Sequence, residues 1–467
     1  MKKILALVAL PLWGSAALAS ELDGTHLSAL WALPFVGILL SIALLPLLLP
    51  TFWHRHFGKL TVAWSLAFLV PFAVIFGPLA AGIGFVHAML AEYIPFILLL
   101  TALFTVAGGI YIRGDLRASP ALNTGLLGLG SVLASVMGTT GASMLLIRPL
   151  IRANKNRVHK VHLVVFFIFL VSNVGGSLTP LGDPPLFLGF LKGVDFFWTA
   201  RHLLPATLFL TGILLALFYL MDRWFFRRPD ELLKIDPSRG TQPLGFDGAA
   251  NFWLLGAIMC VVLISGLWKS VINFNVLGTE VGLPGLMRDA SLVVITLISL
   301  RLTPSKVHRD NQFSWGPMQE VAKLCAGIFL TIVPVIAMLK AGIDGPFGAV
   351  ISAVTHPDGS SDPAMYFWAT GILSSFLDNA PTYLVFFNTA GGDAKTLMTT
   401  LAPTLTAISA GAVFMGANTY IANAPNLMVK AVAEEMGIKM PSFFAYMLWS
   451  GCILLPLFAL ITFIWFR

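Results

Sequence analysis

Two short stretches of this 467-residue chain place acidic and amide side chains among Gly and Pro inside long apolar sequence. The first stretch, at 172–185, contains Asp183, and the second, at 377–382, contains Asp378. An Asp at the centre of a membrane-spanning helix costs about 2.5–3.5 kcal/mol, so an intramembrane acid beside broken backbone indicates a functional site. The chemistry that these residues predict is the binding of a small cation or a proton by oxygen atoms.

The composition is that of a polytopic membrane protein, since 57% of the residues are hydrophobic and only 11% are charged. The mean hydropathy is +0.85, and several apolar runs exceed the roughly 20 residues that cross a bilayer. Three scattered Cys and the His spacings match no metal motif, so we expect no cofactor and no metal beyond a transported ion. We find no H-E-x-x-H or G-x-S-x-G motif, and therefore expect no enzyme activity.

The apolar pattern predicts an all-α fold with about ten spanning segments. Two further apolar stretches, 121–151 and 364–390, are interrupted at their centres and predict re-entrant hairpins, because non-helical backbone is tolerated at membrane depth when protein or water surrounds it. The predicted spans are 27–50, 60–83, 91–112, 161–190, 203–226, 250–268, 290–302, 321–341, 397–430 and 443–465.

Charge indicates the orientation of these segments. Most of the 29 Lys and Arg residues fall in alternate loops, which the positive-inside rule places in the cytoplasm. This distribution accounts for the net charge of +7 without a nucleic-acid partner. Residues 1–19 resemble a cleavable signal peptide, with an uncleaved extra helix as the alternative. We therefore expect a bacterial-type inner-membrane protein with its mature N-terminus outside.

The chain also predicts an internal repeat. Residues 94–96 match 333–335, the break at Gly138 matches the break at Asp378, and Asn173 matches Asn418, which suggests two halves of opposite orientation. The expected organisation is a signal peptide (1–19), N-terminal helices (20–90), a first repeat (91–226), a cytoplasmic linker (227–249), connecting helices (250–320) and a second repeat (321–467).

The broken elements of an inverted repeat are where a transport site is expected. Asp183 and Asp378 would exchange a cation for protons, because desolvation and like charge both disfavour ionisation of neighbouring carboxylates. Each candidate residue type also has a purely structural explanation. An Asp can cap a half-helix, an amide can satisfy open backbone, and a Thr can bond to its own helix. The further candidates at the tips and breaks are Thr139, Thr140, Asn173, Asn379, Asn418, Asn423, Pro184, Pro381 and Pro425.

The pairing of Asn-x-Gly-Gly-Ser and Pro-x-Gly-Asp in the first half with Asp-Asn-x-Pro-Thr in the second resembles the ion transporter superfamily, particularly NhaD-type sodium/proton antiporters and the related CitMHS-like citrate transporters. The resemblance covers roughly residues 91–465. It implies a scaffold part and a transport part, elevator-like movement and a homodimer. Carried over by motif, the site would be Asn173, Gly175, Gly176, Thr179, Asp183, Asp378, Asn379, Pro381, Thr382, Asn418 and Asn423.

These observations predict a secondary transporter in the lipid bilayer. The first hypothesis is a sodium or lithium/proton antiporter that works by alternating access. The alternative is a cation-coupled citrate or dicarboxylate transporter, for which we would expect an Arg or Lys among the broken elements. The chain departs from the dicarboxylate branch, which carries Ser-Asn-Thr at both hairpin tips, since its own tips are Gly-Thr-Thr-Gly and Asp-Asn-Ala-Pro-Thr.

Overall fold

A computed structural model describes residues 23–114, 116, 118–229 and 245–467. The described chain is mostly helical, with four short strands. The protein is an all-α polytopic membrane protein, which confirms the predicted fold class. The predicted signal peptide (1–19) and most of the predicted linker lie outside the described residues.

The elements of the first half are α1 (Leu33–Leu48), α2 (Pro50–Phe76), α3 (Pro78–His87), α4 (Ile94–Gly108), β1 (Tyr111–Arg113), α5 (Pro120–Met137), α6 (Thr139–Ala153), α7 (Val161–Leu170), α8 (Pro184–Leu191) and α9 (Trp198–Phe226). A π-helical segment, Ala88–Tyr93, joins α3 to α4.

The elements of the second half are β2 (Gly245–Asp247), α10 (Ala250–Leu267), β3 (Asn273–Val276), β4 (Thr279–Gly282), α11 (Leu283–Leu302), α12 (Ser305–Asp310), α13 (Gly316–Thr331), α14 (Val333–Lys340), α15 (Gly348–Ala353), α16 (Pro363–Phe376), α17 (Asn379–Thr389), α18 (Ala394–Met398), α19 (Ala402–Phe414), α20 (Ala424–Glu435) and α21 (Phe443–Trp465). Strand β1 pairs antiparallel with β2, and β3 pairs antiparallel with β4.

Within the described residues, nine helices are long and apolar enough to cross a membrane, or ten if the pair α13 and α14, bent by 42°, forms one span. The set differs from the predicted spans at two places. Helix α5, the first arm of a predicted hairpin, is itself long and apolar enough to cross a membrane. The predicted span 397–430 is divided into α19 and α20.

The predicted second and third spans, 60–83 and 91–112, have the wrong bounds. Helix α2 begins at Pro50 and ends before Gly77, and the next span runs continuously from Pro78 to Gly108. Gly77 has φ of 92°, a conformation that favours glycine and ends the helix. The basic residues that we assigned to a loop, from His54 to Lys59, therefore lie in the first turns of α2.

We group the helices by their contacts into two units, which meet where α4 packs on α6 and α14 packs on α17. The long-helix unit consists of α1–α4, α10, α11, α13 and α14, and the broken-helix unit consists of α5–α9, α16, α17 and α19–α21. Helix α7 is buried along its whole length, and α19 is buried from Thr404 to Phe414. These two helices form the centre of the broken-helix unit, which is why most of their residues are apolar and the few polar ones, such as His162 and Ser409, are buried.

Two helical hairpins flank that centre. Hairpin 1 is formed by α5 and α6 and turns at Gly138, where φ is 81°. Hairpin 2 is formed by α16 and α17 and turns at Leu377 and Asp378. Between α7 and α8, residues 171–183 form break 1, and between α19 and α20, residues 415–423 form break 2. Short 3₁₀ turns, Val174–Leu178 and Met415–Asn418, lie within the breaks.

The two halves repeat the same hydrogen bonds 240 positions apart. The hydroxyl of Thr179 donates to the carbonyl oxygen of Ser135 at 2.5 Å, and the hydroxyl of Thr419 donates to that of Ser375 at 2.5 Å. Asp183, the N-cap residue of α8, corresponds in the same way to Asn423, the N-cap residue of α20, and both have extended backbone.

This register corrects the pairing of Asn173 with Asn418. The two residues are 245 positions apart, whereas the hydrogen-bonded residues of the breaks are 240 apart. Each break contains several polar residues, so Asn can be matched to Asn in a wrong register. Asn418 is the final residue of the second 3₁₀ turn, whereas Asn173 precedes the first.

Candidate cation site at the meeting point of the broken helices

The carboxylate of Asp183 lies where hairpin 1, hairpin 2 and break 2 meet break 1. The Thr139 hydroxyl donates to Oδ1 at 3.1 Å, and the Asn379 side-chain amide donates to Oδ2 at 2.5 Å. The Asn423 amide nitrogen is 3.5 Å from Oδ1. Asp183 is only 1% exposed. Each of the four broken elements therefore contributes one side chain to a single buried junction.

Glycines of break 1 allow the backbone to approach this closely. A Cβ added at Gly182 would lie 2.2 Å from the carbonyl oxygen of Gly176, and a Cβ at Gly176 would lie 2.6 Å from a side-chain carbon of Thr139. The backbone N–H of Thr139 donates to the carbonyl of Gly182 at 2.9 Å. The tip of hairpin 1 is thus fixed to the residue that precedes Asp183.

Asn379 has an oxygen atom that matches a cation site. While its Nδ2 donates to Asp183, its Oδ1 is buried and has no hydrogen-bond partner. A buried amide oxygen without a partner costs about 1–3 kcal/mol. Carbonyl and carboxylate oxygens are the ligands that hard cations prefer. Because Nδ2 faces the carboxylate, a cation beside Asp183 would satisfy this oxygen after rotation of the amide.

Asp378 has a different environment from Asp183. Its carboxylate caps α17 by accepting from the backbone N–H of Ala380 at 3.0 Å, and the residue is only partly buried. Asp183 occupies the N-cap position of α8, yet its side chain makes no capping hydrogen bond. The capping role that we considered for both acids therefore applies to the side chain of Asp378 alone.

The other predicted amides connect the two breaks. Asn173 donates to the Ile168 carbonyl and to Oδ1 of Asn426, both at 2.8 Å. Asn426 in turn donates to the carbonyls of Gly416 and Thr419 at 2.9 Å. Asn173 thus bonds backbone and amide groups, and no described contact joins it to Asp183.

Asn418 lies on the hairpin 2 side of break 2. Its Nδ2 donates to the hydroxyl of Ser375 at 2.9 Å, and its Oδ1 is buried without a hydrogen-bond partner. This Oδ1 is a second amide oxygen that could coordinate a cation, although no described contact joins Asn418 to Asp183.

The predicted hydroxyls and helix breakers have mostly structural contacts. Thr179 bonds to backbone of hairpin 1, and Thr382 donates to the carbonyl of Asp378 within its own helix. Gly175 touches Ser131 backbone closely enough to exclude a side chain. The remaining predicted breakers, Pro184, Pro381 and Pro425, lie in the first turns of α8, α17 and α20.

A mostly apolar cavity leads to Asp183. It lies between the middle of α4, the start of α13, the tip of hairpin 1 and the start of α20. The start of α13 follows a loop rich in Lys and Arg, so the positive-inside rule assigns the cavity to that side. Thr140 lines it beside Thr139. No Lys or Arg is among the described residues that line the cavity. The other lining residues include Leu99, Leu103, Phe104, Met137, Pro180, Phe187, Met318, Val321, Ala424 and Met428.

Sequence reasoning missed two polar features. Ser135 and Ser375 hold the breaks to the hairpins, and the constant spacing of 240 residues would have found them. Asp222, which we did not identify as a candidate from the sequence, is fully buried inside α9. It accepts from Arg157 at 2.5 Å and from Asn123 at 2.9 Å.

The chain is similar in sequence to known membrane proteins. The chain is 24% identical to a 46 kDa membrane protein of Mycobacterium leprae over 67% of this chain and 69% of the relative. It is also 24% identical to an uncharacterized transporter of Mycobacterium tuberculosis over 69% of this chain and 71% of the relative. A family model described as "Putative citrate transport" matches residues 24–466. Because that match spans nearly the whole chain, the protein belongs to this citrate-transport family of membrane transporters.

Proposed function

We propose that the protein is a cation-coupled secondary transporter in which Asp183 binds the coupling cation or a proton. The observation that carries the proposal is the junction itself. A fully buried carboxylate is joined by side chains of both hairpins and of break 2, beside an amide oxygen that has no partner.

The chemistry follows from charge. A bare carboxylate at membrane depth is costly, whereas a carboxylate that holds either a proton or a monovalent cation is neutral. Cation and proton compete for the same oxygens, so binding one releases the other. Asn379 stabilises the empty carboxylate through Nδ2, and rotation of its amide would offer Oδ1 to the cation.

The position of the cavity supports alternating access. The cavity reaches Asp183 from the basic-loop side, which the positive-inside rule assigns to the cytoplasm. We propose that this conformation faces inward and that the broken-helix unit moves against the long-helix unit to expose the site outside. We also propose an inner-membrane location and an outer N-terminus, which the charge distribution and the signal-peptide pattern favour, and a homodimer, which the resemblance implies.

The family match supports citrate, or a similar organic anion, as the cargo. In this first candidate function the cation at Asp183 would neutralise the carboxylate and so remove its repulsion of the anion. The match favours this candidate over the sodium/proton antiporter that we placed first from the sequence.

One observation supports antiport as a second candidate. No Lys or Arg lines the described cavity, and Asp183 lies within it. A multivalent anion would meet a carboxylate without a basic side chain to offset the repulsion. Exchange of sodium or lithium for a proton needs no such side chain.

Proton flux in sealed vesicles that contain the purified protein tests both candidates. Sodium, lithium, potassium and citrate are added in turn. Flux with sodium or lithium alone supports antiport, and flux that requires both cation and citrate supports cation-coupled citrate transport. Flux that is independent of every added cation would contradict the proposal.

A further inference from the structure

An ion pair joins the two units on the side opposite the cavity. Lys192, the C-cap residue of α8, donates to the carboxylate of Glu92. Glu92 belongs to the π-helical segment between α3 and α4, in the long-helix unit. The Glu92 side chain is 8% exposed and the Lys192 side chain 27%. Lys192 lies in a loop that the charge distribution assigns to the outside.

The π-helical segment gives Glu92 an unusual position. Such segments are rare and frequently occur at functional sites. A carboxylate buried in an apolar span is costly unless it is paired, so Glu92 depends on its partner. That partner belongs to the other unit.

Helix α8 connects this ion pair to the candidate cation site. It has Asp183 at its N-terminal end and Lys192 at its C-terminal end, and its eight residues span about 12 Å. The Phe190 ring packs closely against Gly266 of α10, so closely that a Cβ at Gly266 would lie 2.7 Å from it. The guanidinium of Arg288 in α11 lies 5.8 Å from the Phe187 ring. One short helix therefore contacts the long-helix unit while it carries Asp183.

We propose that the Glu92–Lys192 ion pair is an outer latch that holds the broken-helix unit in the inward-facing position. The inference rests on the proposed alternating access. Movement of α8 with its unit separates Lys192 from Glu92, so the pair stabilises one state of the cycle over the other. Glu92 and Lys192 are positioning residues, since neither contacts Asp183.

Accessibility of the inner cavity tests this latch. Met428, which lines the cavity and is partly buried, is replaced by Cys after Cys260, Cys325 and Cys452 are changed to Ala. A membrane-impermeant maleimide is added from the cytoplasmic side. We expect Glu92→Gln and Lys192→Met each to lower the labelling rate about threefold or more, because the inward-facing population falls.

Matched variants separate the latch from general damage. The double reversal Glu92→Lys with Lys192→Glu should restore labelling, and Lys269→Met, in an exposed outer loop, should leave it unchanged. Each variant is checked for a single symmetric peak in size-exclusion chromatography. Unchanged labelling in a well-folded Glu92→Gln or Lys192→Met protein would overturn the latch. Labelling is measured without cation or citrate. Unchanged labelling would therefore contradict the latch and would not contradict the proposed role of Asp183 in cation binding.

Discussion

At the scale of single residues, the two acids that stand out in the sequence have different roles. Asp183 receives side-chain donors from both hairpins, whereas Asp378 accepts a backbone N–H of its own helix. Their sequence contexts are alike, since each is an Asp beside helix breakers in an apolar segment. Only the fold decides which carboxylate faces the junction.

Asp378→Asn should therefore retain most of the transport, because Asn is also a good N-cap residue. Asp378→Ala removes the cap and should lower the free energy of unfolding by about 1 kcal/mol. Cation-dependent proton flux and the midpoint of thermal unfolding measure the two effects. Complete loss of flux in a stable Asp378→Asn protein would show that Asp378 also exchanges protons.

Asn379→Ala removes both the donor to Asp183 and the oxygen without a partner. A bond to a charged group contributes about 1.5–3 kcal/mol, so loss of Oδ1 as a cation ligand should lower the apparent cation affinity about tenfold. Loss of the Nδ2 donor, which stabilises only the empty carboxylate, acts in the opposite direction and is expected to be the smaller effect. Flux at saturating cation should fall less. The matched control is Asn388→Ala in the same helix, whose side-chain amide donates to the Leu384 carbonyl. Equal effects of the two substitutions would contradict a specific role for Asn379.

At the scale of elements, hairpins and breaks act together because backbone contacts join them. The sequence predicts the breaks themselves, since Gly138 and the Pro residues after Asp183 and Asn423 cannot continue a regular helix. It does not predict which residues of the two breaks correspond. That correspondence depends on hydrogen bonds such as those from Thr179 and Thr419, which are visible only in the fold.

Gly182→Ala should displace break 1, because the added Cβ would lie 2.2 Å from the Gly176 carbonyl oxygen. Asp183 would move with its neighbour, and we expect a large loss of cation-dependent flux. Gly212→Ala in α9 is the matched control, since a Cβ there meets nothing within 4 Å. It should be neutral or stabilise the helix by about 0.5–1 kcal/mol. Normal flux in Gly182→Ala would mean that break 1 tolerates a shift and does not position Asp183.

The cluster around Asp222 joins the feet of hairpin 1 to α7 and α9. Asp222 bonds to Asn123 of α5, to Arg157, and to His162 of α7 at 2.8 Å. Breaking a buried ion pair costs about 3–5 kcal/mol, so Asp222→Asn should markedly lower the midpoint of thermal unfolding. Asp310→Asn, at an exposed position, is the control. An unchanged midpoint would show that the cluster does not stabilise the hairpin.

At the scale of the whole molecule, the fold class followed from hydropathy, because long apolar runs have few alternatives to spanning helices. The bounds near His54 were wrong, because basic residues were assigned to a loop although a helix continues through them. Asp222 was missed because it lies at the end of a predicted span, next to hydrophilic sequence, where a charged residue is ordinary. Citrate-family membership agrees with part of the resemblance, whereas NhaD-type antiport stays a prediction.

The most direct test of the account compares Asp183→Asn with wild-type protein in sealed vesicles, by proton flux after addition of sodium or lithium, with and without citrate. Asn preserves the shape of the side chain but cannot exchange a proton for a cation. The account predicts that coupled flux disappears in Asp183→Asn and persists in Asp378→Asn, with both proteins folded. Retained cation-dependent flux in well-folded Asp183→Asn would contradict the claim that this carboxylate couples the transport.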